Sequence, residues 1–142
     1  MLIFVYGTLK KDCSNHNVLK KINAKFIDNC KTKDKYPMYK SENYFPYLEN
    51  QKGVGKHITG ELYHINNSKE KVLDEFEGVP NLYKSGTLTI IDSSSKEIEV
   101  SVYFKSKETE LSNKKLINNW IEKSAAEYNF MFDNYYSSIL NE

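Results

Sequence analysis

A loop that directly follows an apolar run is the first place where this sequence could do chemistry. Residues 1–6 form the run, and Gly7 and Thr8 come directly after Tyr6. A glycine permits a tight turn and lets a ligand approach the backbone closely. Successive N–H groups in such a turn can point at one anion or carbonyl oxygen, and Thr8 adds a hydroxyl group. The glycine spacings of phosphate-binding loops are absent, so we do not predict a nucleotide site.

A group of carboxylates at the end of a predicted helix is the second candidate. Asp74, Glu75 and Glu77 lie directly before Gly78, a residue suited to a helix C-terminus. The apolar face of this helix is set by Val72, Leu73 and Phe76. At about 100° per residue, Asp74 is predicted to point to water, whereas Glu75 and Glu77 flank the apolar face on opposite sides. Glu77 can reach past the helix end into a cavity, but helical phase leaves the choice between Glu75 and Glu77 open.

Several short motifs follow one another in an order that resembles one protein family. The motifs are Phe4-Val5-Tyr6-Gly7-Thr8-Leu9-Lys10, Asn15-His16 with Leu19, Tyr36-Pro37, Pro46-Tyr47-Leu48, Gly60-Glu61-Leu62-Tyr63, Leu73-Asp74, Phe76-Glu77, Pro80 with Leu82-Tyr83, and Val102-Tyr103. Together they resemble the γ-glutamylcyclotransferase-like family, and most of all its branch that acts on γ-glutamylamines. The resemblance extends over residues 3–105.

The resemblance implies a reaction within one substrate molecule. The α-amine of a γ-glutamyl compound attacks its own γ-carbonyl, which gives 5-oxoproline and a free amine. Glu77 is implied as the catalytic acid and base. The implied substrate-binding residues are Tyr6, Gly7, Thr8, Leu9, Tyr83 and Tyr103. The implied partner is a small γ-glutamyl molecule, and no cofactor is expected.

Elementary chemistry agrees with these implied roles. The substrate supplies its own nucleophile, so no serine or cysteine nucleophile is needed. One carboxylate can take a proton from the attacking amine and return it to the leaving amine. An ordinary glutamate, with a pKa of about 4.3, is too weak a base, so burial should raise the pKa of Glu77. The N–H groups of the 6–9 turn are suited to stabilise the oxyanion, and the pocket must hold the γ-glutamyl arm in its cyclising conformation.

Hydrophobic patterns predict the strands that would position these groups. Strands are predicted over residues 1–6, 24–30, 58–65, 88–91 and 98–104. The last two flank a turn at residues 92–95 and form a hairpin. Residues 33–56 contain two X-Pro steps and two glycines, which is typical of loops and edge strands. The pattern predicts an α+β fold with a barrel-like sheet, and the resemblance implies a mixed β-barrel with helices packed outside.

Three helices are predicted as well. The first spans residues 15–21 with Asn15 as its cap, and the second begins at the cap Ser68. The third is predicted over residues 112–127, with Ser112 as its cap. Its core-facing residues are predicted to be Leu116, Ile117, Trp120, Ile121 and Ala125. The apolar residues from Tyr128 to Leu140 are expected to pack back, which would make residues 1–142 one domain.

Composition and charge argue against several other classes. The net charge of +1 provides no basic field for nucleic acid, and no apolar run is long enough to span a bilayer. No export signal is recognisable, so a cytoplasmic location is expected. Cys13 and Cys30 form no CxxC motif, and the three histidines show no metal-ligand spacing with them. We therefore predict no metal site, no disulfide, no nucleic-acid partner and no membrane partner.

Two alternatives to a γ-glutamylamine enzyme remain. Lys11-Asp12-Cys13 stands where the family often has a glycine, and Lys84 replaces a frequent arginine. These departures leave open a cyclotransferase for another γ-glutamyl compound, such as glutathione or a γ-glutamyl-amino acid. The other alternative is a non-catalytic binding or interaction domain that kept the cavity. The presence of Tyr6, Gly7 and Glu77 argues against it, because an abandoned site is free to lose its acid.

Overall fold

A computed structural model describes residues 1–122 of the protein. Seven strands, two α-helices and one 3-10 turn occur within this range. In chain order they are β1 (Leu2–Val5), α1 (His16–Lys21), β2 (Lys25–Tyr36), β3 (Met38–Lys40), β4 (Pro46–Leu48), β5 (Lys56–His64), a 3-10 turn (Asn67–Lys69), α2 (Glu70–Phe76), β6 (Tyr83–Asp92) and β7 (Glu97–Lys105). None of the helices within this part of the chain is long and apolar enough to cross a membrane.

Five of the strands close into a barrel in the order β1-β5-β2-β6-β7. β1 pairs antiparallel with β5 and parallel with β7, where Ile3 lies opposite Ser101. The parallel contact completes the ring, and every other pairing in the barrel is antiparallel. β3 and β4 form a separate two-stranded sheet. The predicted α+β fold with a barrel-like mixed sheet is confirmed.

β1 is apolar throughout because both of its faces are buried. Ile3 and Val5 pack into one hydrophobic cluster, which also contains Leu19 of α1 and Leu73 of α2. Phe4 packs into a second cluster inside the barrel. Side chains alternate between the two faces of a strand, so a strand between two cores needs apolar residues at every position. The continuous run at residues 1–6 is the sequence signature of this placement.

Two predicted strands are longer than their patterns indicated. β2 continues from Lys25 to Tyr36, well past the predicted end at residue 30. A register irregularity between Lys31 and Lys35 interrupts its pairing with β5, but buried and exposed side chains continue to alternate from Cys30 to Tyr36. β6 begins at Tyr83 and pairs with β7 along its whole length, so the predicted hairpin is correct but longer than expected.

The predicted helix over residues 112–127 is wrong for its described part. Residues 106–122, here called the strap, run over the barrel without helical turns. The N–H of Ile117 donates to the carbonyl of Met38 at 2.8 Å, and the N–H of Thr59 donates to the carbonyl of Asn118 at 2.9 Å. These backbone groups bond to distant parts of the chain instead of to a helical neighbour.

The side chains of the strap also differ from the helical prediction. Trp120 is buried and Ile117 is half-buried, but Ile121 is 70% exposed. Ser112 lies in a turn and caps no helix. Ala125 and the stretch from Tyr128 to Leu140 lie outside the described residues. The apolar residues of the strap therefore follow a helical spacing although residues 106–122 form no helix, and only some of them are buried.

The start of the second helix needs a correction too. Ser68 is not the cap: the Asn66 side chain accepts a hydrogen bond from the Ser68 N–H at 3.0 Å and begins the 3-10 turn. That turn runs directly into α2. Val72, predicted to face the core, is 44% exposed, whereas Leu73 is fully buried. The buried face of α2 is therefore rotated away from the predicted one, which matters for the carboxylates that follow.

Candidate active site

All seven site residues named from the sequence line one pocket. It lies where β1 ends, and its space, including the part open to solvent at its mouth, amounts to about 390 Å³. The pocket is lined by Phe4, Val5, Tyr6, Gly7, Thr8, Leu9, Phe45, Pro46, Glu77, Tyr83 and Tyr103. Parts that are distant in sequence, from β1 to β7, thus meet at one cavity.

The loop after β1 presents backbone N–H groups without partners inside the described part of the chain. Its carbonyl groups are occupied, because Gly7 O accepts from the Lys10 N–H at 3.1 Å and Thr8 O accepts from the Asn15 N–H at 2.9 Å. No acceptor within residues 1–122 bonds the N–H groups of Gly7, Thr8 or Leu9. Donors held in this way can bind a carbonyl oxygen or an anion without competing with the fold.

Asn15 supports this loop and does not cap its helix with its side chain. It stands at the predicted cap position of α1, but no side-chain cap bond forms there. Its amide donates instead to the Thr8 hydroxyl oxygen at 3.0 Å. Asn15 therefore holds Thr8 through both its backbone and its side chain.

Gly7 is required by the opposite wall of the pocket. A methyl group built on its Cα would lie 2.6 Å from Cγ of Pro46. Contacts under 3.0 Å are sterically excluded, so any larger residue would push the loop and Pro46 apart. The sequence predicted that a ligand approaches the backbone closely at Gly7, and the structure shows that the ring of Pro46 also lies close to it.

Glu77 ends α2 with its side chain in the pocket. Its N–H donates to the carbonyl oxygen of Leu73 at 2.8 Å and completes the last turn of the helix. Gly78 follows with a φ of +66°, a conformation that favours glycine. Only 8% of Glu77 is exposed. Burial, followed by the negative charge of Asp74, raises the pKa of Glu77 to about 8. A carboxyl group in this state can both accept and donate a proton near neutral pH.

The structure separates the three carboxylates that helical phase left unresolved. Leu73 and Glu77, four residues apart, share the buried face of α2, because side chains at this spacing lie one above the other. Glu75 is exposed. The prediction that Asp74 faces water is wrong, since it is half-buried and accepts a hydrogen bond from the Tyr103 hydroxyl at 2.7 Å. The error arose because Val72 was included in the apolar face.

Tyrosines complete the pocket and connect its parts. The Tyr6 hydroxyl donates to the backbone carbonyl of Tyr103 at 2.5 Å, which joins β1 to β7. The Tyr83 hydroxyl donates to Pro46 O at 2.8 Å, and its ring centroid lies 6.4 Å from that of Phe45. The walls are thus apolar and aromatic, while the polar groups of the cavity gather at Glu77 and the loop.

Sequence reasoning missed four pocket residues and one supporting residue. The pocket residues are Phe4, Val5, Phe45 and Pro46, and the supporting residue is Asp74. Phe45 and Pro46 belong to residues 33–56, which were interpreted as loop or edge strand. No local pattern connects that segment with Gly7. Pro46 did appear among the family-like motifs, which was the available signal.

Comparisons with known proteins agree with this architecture. A family model described as "Gamma-glutamyl cyclotransferase, AIG2-like" matches residues 3–122, further than the predicted resemblance to residue 105. A Methanocaldococcus jannaschii protein, named provisionally as a gamma-glutamylcyclotransferase, is 45% identical over 102 residues, which is 72% of this chain and 82% of that protein. Gamma-glutamylaminecyclotransferase A of Danio rerio is 40% identical over 107 residues, which is 71% of this chain and 66% of that enzyme. The crystal structure of an AIG2-like protein from Mus musculus superposes with a TM-score of 0.80 at 25% identity, covering 89% of this chain and 91% of that one.

Proposed function

Because this chain belongs to the AIG2-like gamma-glutamyl cyclotransferase family, we propose that it converts a γ-glutamyl compound into 5-oxoproline and a free amine. One observation carries the proposal. A buried carboxyl group, whose pKa is raised to about 8, lines the same pocket as a loop whose N–H groups have no acceptor among residues 1–122. Glu77 and that loop are the two parts that a proton-relayed cyclisation needs.

The proposed reaction forms one bond and breaks another without consuming water. The α-amine nitrogen attacks the γ-carbonyl carbon, and the carbonyl electrons move onto the oxygen. The N–H groups of Gly7, Thr8 and Leu9 are the proposed donors to this oxyanion. When the carbonyl forms again, the bond to the leaving nitrogen breaks and the amine departs.

Glu77 is the proposed proton shuttle between the two nitrogens. The attacking amine must lose a proton, and the pKa of an α-amino group is about 7.7–8.0. A carboxylate with a pKa of about 8 takes that proton with little free-energy change, because the two affinities match. It then gives the proton to the leaving nitrogen, and the carboxyl group returns to its starting state.

The aromatic walls are proposed to hold the substrate chain in its reactive shape. An open γ-glutamyl arm has several rotatable bonds, and cyclisation requires its two ends to meet. Tyr83 and Phe45 form a rigid apolar side that limits those rotations. Tyr6 and Tyr103 connect the two strands on which the pocket depends.

A γ-glutamylamine is the proposed substrate class, because relatives such as the zebrafish protein bear that enzyme's name. γ-Glutamyl-amino acids and glutathione, whose leaving nitrogen is an α-amino group, are the competing possibilities. The predicted cytoplasmic location and the predicted absence of nucleic-acid and membrane partners remain predictions that accompany this proposal.

A panel assay for 5-oxoproline tests the proposal. The panel contains γ-glutamyl-ε-lysine, simple γ-glutamylamines, γ-glutamyl-α-amino acids and glutathione. Wild type should release 5-oxoproline fastest from a γ-glutamylamine, and Glu77→Gln should abolish release. Glu75→Gln is the matched control, since Glu75 is the exposed neighbour on the same helix.

Two results would overturn the proposal. Turnover retained by Glu77→Gln would show that another group moves the proton. Saturable binding of every panel member without 5-oxoproline release would instead favour a non-catalytic binding domain.

A further inference from the structure

A buried lysine directly follows the loop of N–H donors. Lys10 is only 8% exposed, although lysine side chains are seldom buried in proteins. Its ammonium group donates to Asn119 Oδ1 at 2.8 Å and to the backbone carbonyl of Trp120 at 2.7 Å. Both acceptors belong to the strap. A buried charge without a solvated path is costly, so its placement on these two acceptors is a specific feature of the fold.

The backbone of Lys10 closes the turn formed by residues 7–9, here called the donor loop. The Lys10 N–H donates to Gly7 O at 3.1 Å, so the conformation of residues 7–9 depends on where Lys10 stands. The side chain of Lys10 then reaches the strap. One residue thus links the turn that presents the N–H groups with a segment that lies more than a hundred positions later in the chain.

The strap is anchored to other parts of the site as well. The Ile117 N–H bonds to Met38 of β3 at 2.8 Å, and β3 pairs with β4, where Pro46 forms the wall against Gly7. Glu122 accepts two hydrogen bonds from Ser14, from its N–H at 2.8 Å and from its hydroxyl at 2.9 Å. The strap therefore contacts both the donor loop and the sheet that carries the opposite wall.

We propose that Lys10 is a positioning residue, which fixes the N–H groups of residues 7–9 relative to the Pro46 wall through its bonds to Asn119 and Trp120. The inference rests on the proposed function, since it assigns those N–H groups to the oxyanion. Lys10 acts through the loop and touches no reacting atom. Donors aimed at an oxyanion stabilise the transition state more than the bound substrate, so a displaced loop should lower kcat more than it changes KM.

Three variants test the role of the ammonium group. Lys10→Met keeps the length of the side chain and removes the charge, and Lys10→Arg keeps charge and donors. Lys11→Met is the matched control, because Lys11 is the exposed neighbour whose bond to Glu61 uses its backbone N–H. The substrate is the panel member that wild type turns over fastest.

Lys10→Met should lower kcat by about tenfold or more, with KM changed by less than about threefold. Lys10→Arg should recover part of the lost kcat, and Lys11→Met should match wild type. A Lys10→Met protein with a lower Tm but wild-type kcat would overturn the proposal, because Lys10 would then be purely structural. If Lys10→Met does not fold, Asn119→Ala removes one acceptor at an exposed residue and should lower kcat in the same direction; unchanged kcat in that variant would overturn the proposal too.

NMR separates this inference from the proposed function. The amide resonances of Gly7, Thr8 and Leu9 should shift in Lys10→Met and stay in place in Lys11→Met. If wild type releases no 5-oxoproline, the proposed function fails, while shifted amides still establish that Lys10 sets the loop. If the amides do not move, the positioning role fails even in an active enzyme.

Discussion

At alkaline pH, the Glu77→Gln variant should be more stable than wild type. The same substitution removes the carboxyl group that is the proposed proton shuttle. Burial raises the pKa of Glu77 from its ordinary value of 4.5 to about 8 in the folded state. The unfolded chain exposes this carboxyl group to water, where it ionises near the ordinary value. Folded and unfolded protein therefore hold different numbers of protons between these two pH values.

The sign follows from which state holds the proton. Below pH 4.5 the carboxyl group is protonated in both states, and its contribution to stability is fully present. As the pH rises toward 8, the unfolded chain releases the proton while the folded one keeps it, so each pH unit weakens folding by about 1.4 kcal/mol. The loss is complete above the folded pKa and is on the order of 5 kcal/mol in total.

Urea unfolding of wild type, Glu77→Gln and Glu75→Gln at intervals from pH 4.5 to 9 measures this difference. A glutamine cannot ionise, so the stability of Glu77→Gln relative to wild type should rise across the interval. Glu75→Gln should follow wild type, because Glu75 is exposed. A stability difference between Glu77→Gln and wild type that stays constant with pH would refute the account of a buried, protonated carboxyl group.

Three further substitutions test the surroundings of the site. Asp74→Asn keeps an oxygen for Tyr103 but removes the charge that helps to raise the pKa of Glu77, so the acidic limb of the kcat profile should move to lower pH. Gly7→Ala places a methyl group against Pro46 and should cost about 1–3 kcal/mol of stability in urea unfolding, with Pro46→Ala restoring part of it. Tyr83→Phe removes the hydroxyl that donates to Pro46 O, which should lower the free energy of unfolding by about 1–2 kcal/mol and raise KM. An unchanged KM would show that this hydrogen bond does not contribute to substrate binding.

The donor loop and Glu77 were predictable because their signals are local or family-wide. The strand that is apolar on both faces was predicted to end at residue 6, and in the structure β1 ends at Val5, two residues before Gly7. The helix end at Gly78 is marked by a glycine that adopts a positive φ. Both features position side chains through the backbone next to them, and the sequence records that backbone directly.

The orientation of Asp74 was predicted wrongly, and Pro46 was not predicted as a pocket residue. Both depend on contacts with residues that are distant in the sequence. The orientation of α2 depends on which apolar residues the barrel accepts, and it leaves Val72 exposed while burying Leu73. This choice turned Asp74 toward Tyr103. Pro46 of β4 lies against Gly7 although the two residues are far apart in the sequence, and a loop-like composition does not indicate such a contact.

The helix predicted for the strap was wrong for a similar reason, since the backbone hydrogen bonds of this segment are not local. Its apolar spacing predicted a helix, but Ile117 and Asn118 bond to strands that are fixed elsewhere in the fold. A short helix has to compete with such long-range bonds, and tertiary packing decides between them. The family model, which matches residues 3–122, covers this segment as well.

The parallel pairing of β1 with β7 also bears on how the chain avoids self-association. Ile3 meets Ser101, so the ring closes between the first strand and the last one of the barrel. A sheet in which β1 and β7 have not paired has two open strand edges, and the edge formed by β1 is apolar at every residue. Unpaired apolar edges recruit strands from other molecules. The contact that closes the barrel below the donor loop thus also covers the apolar edge of β1.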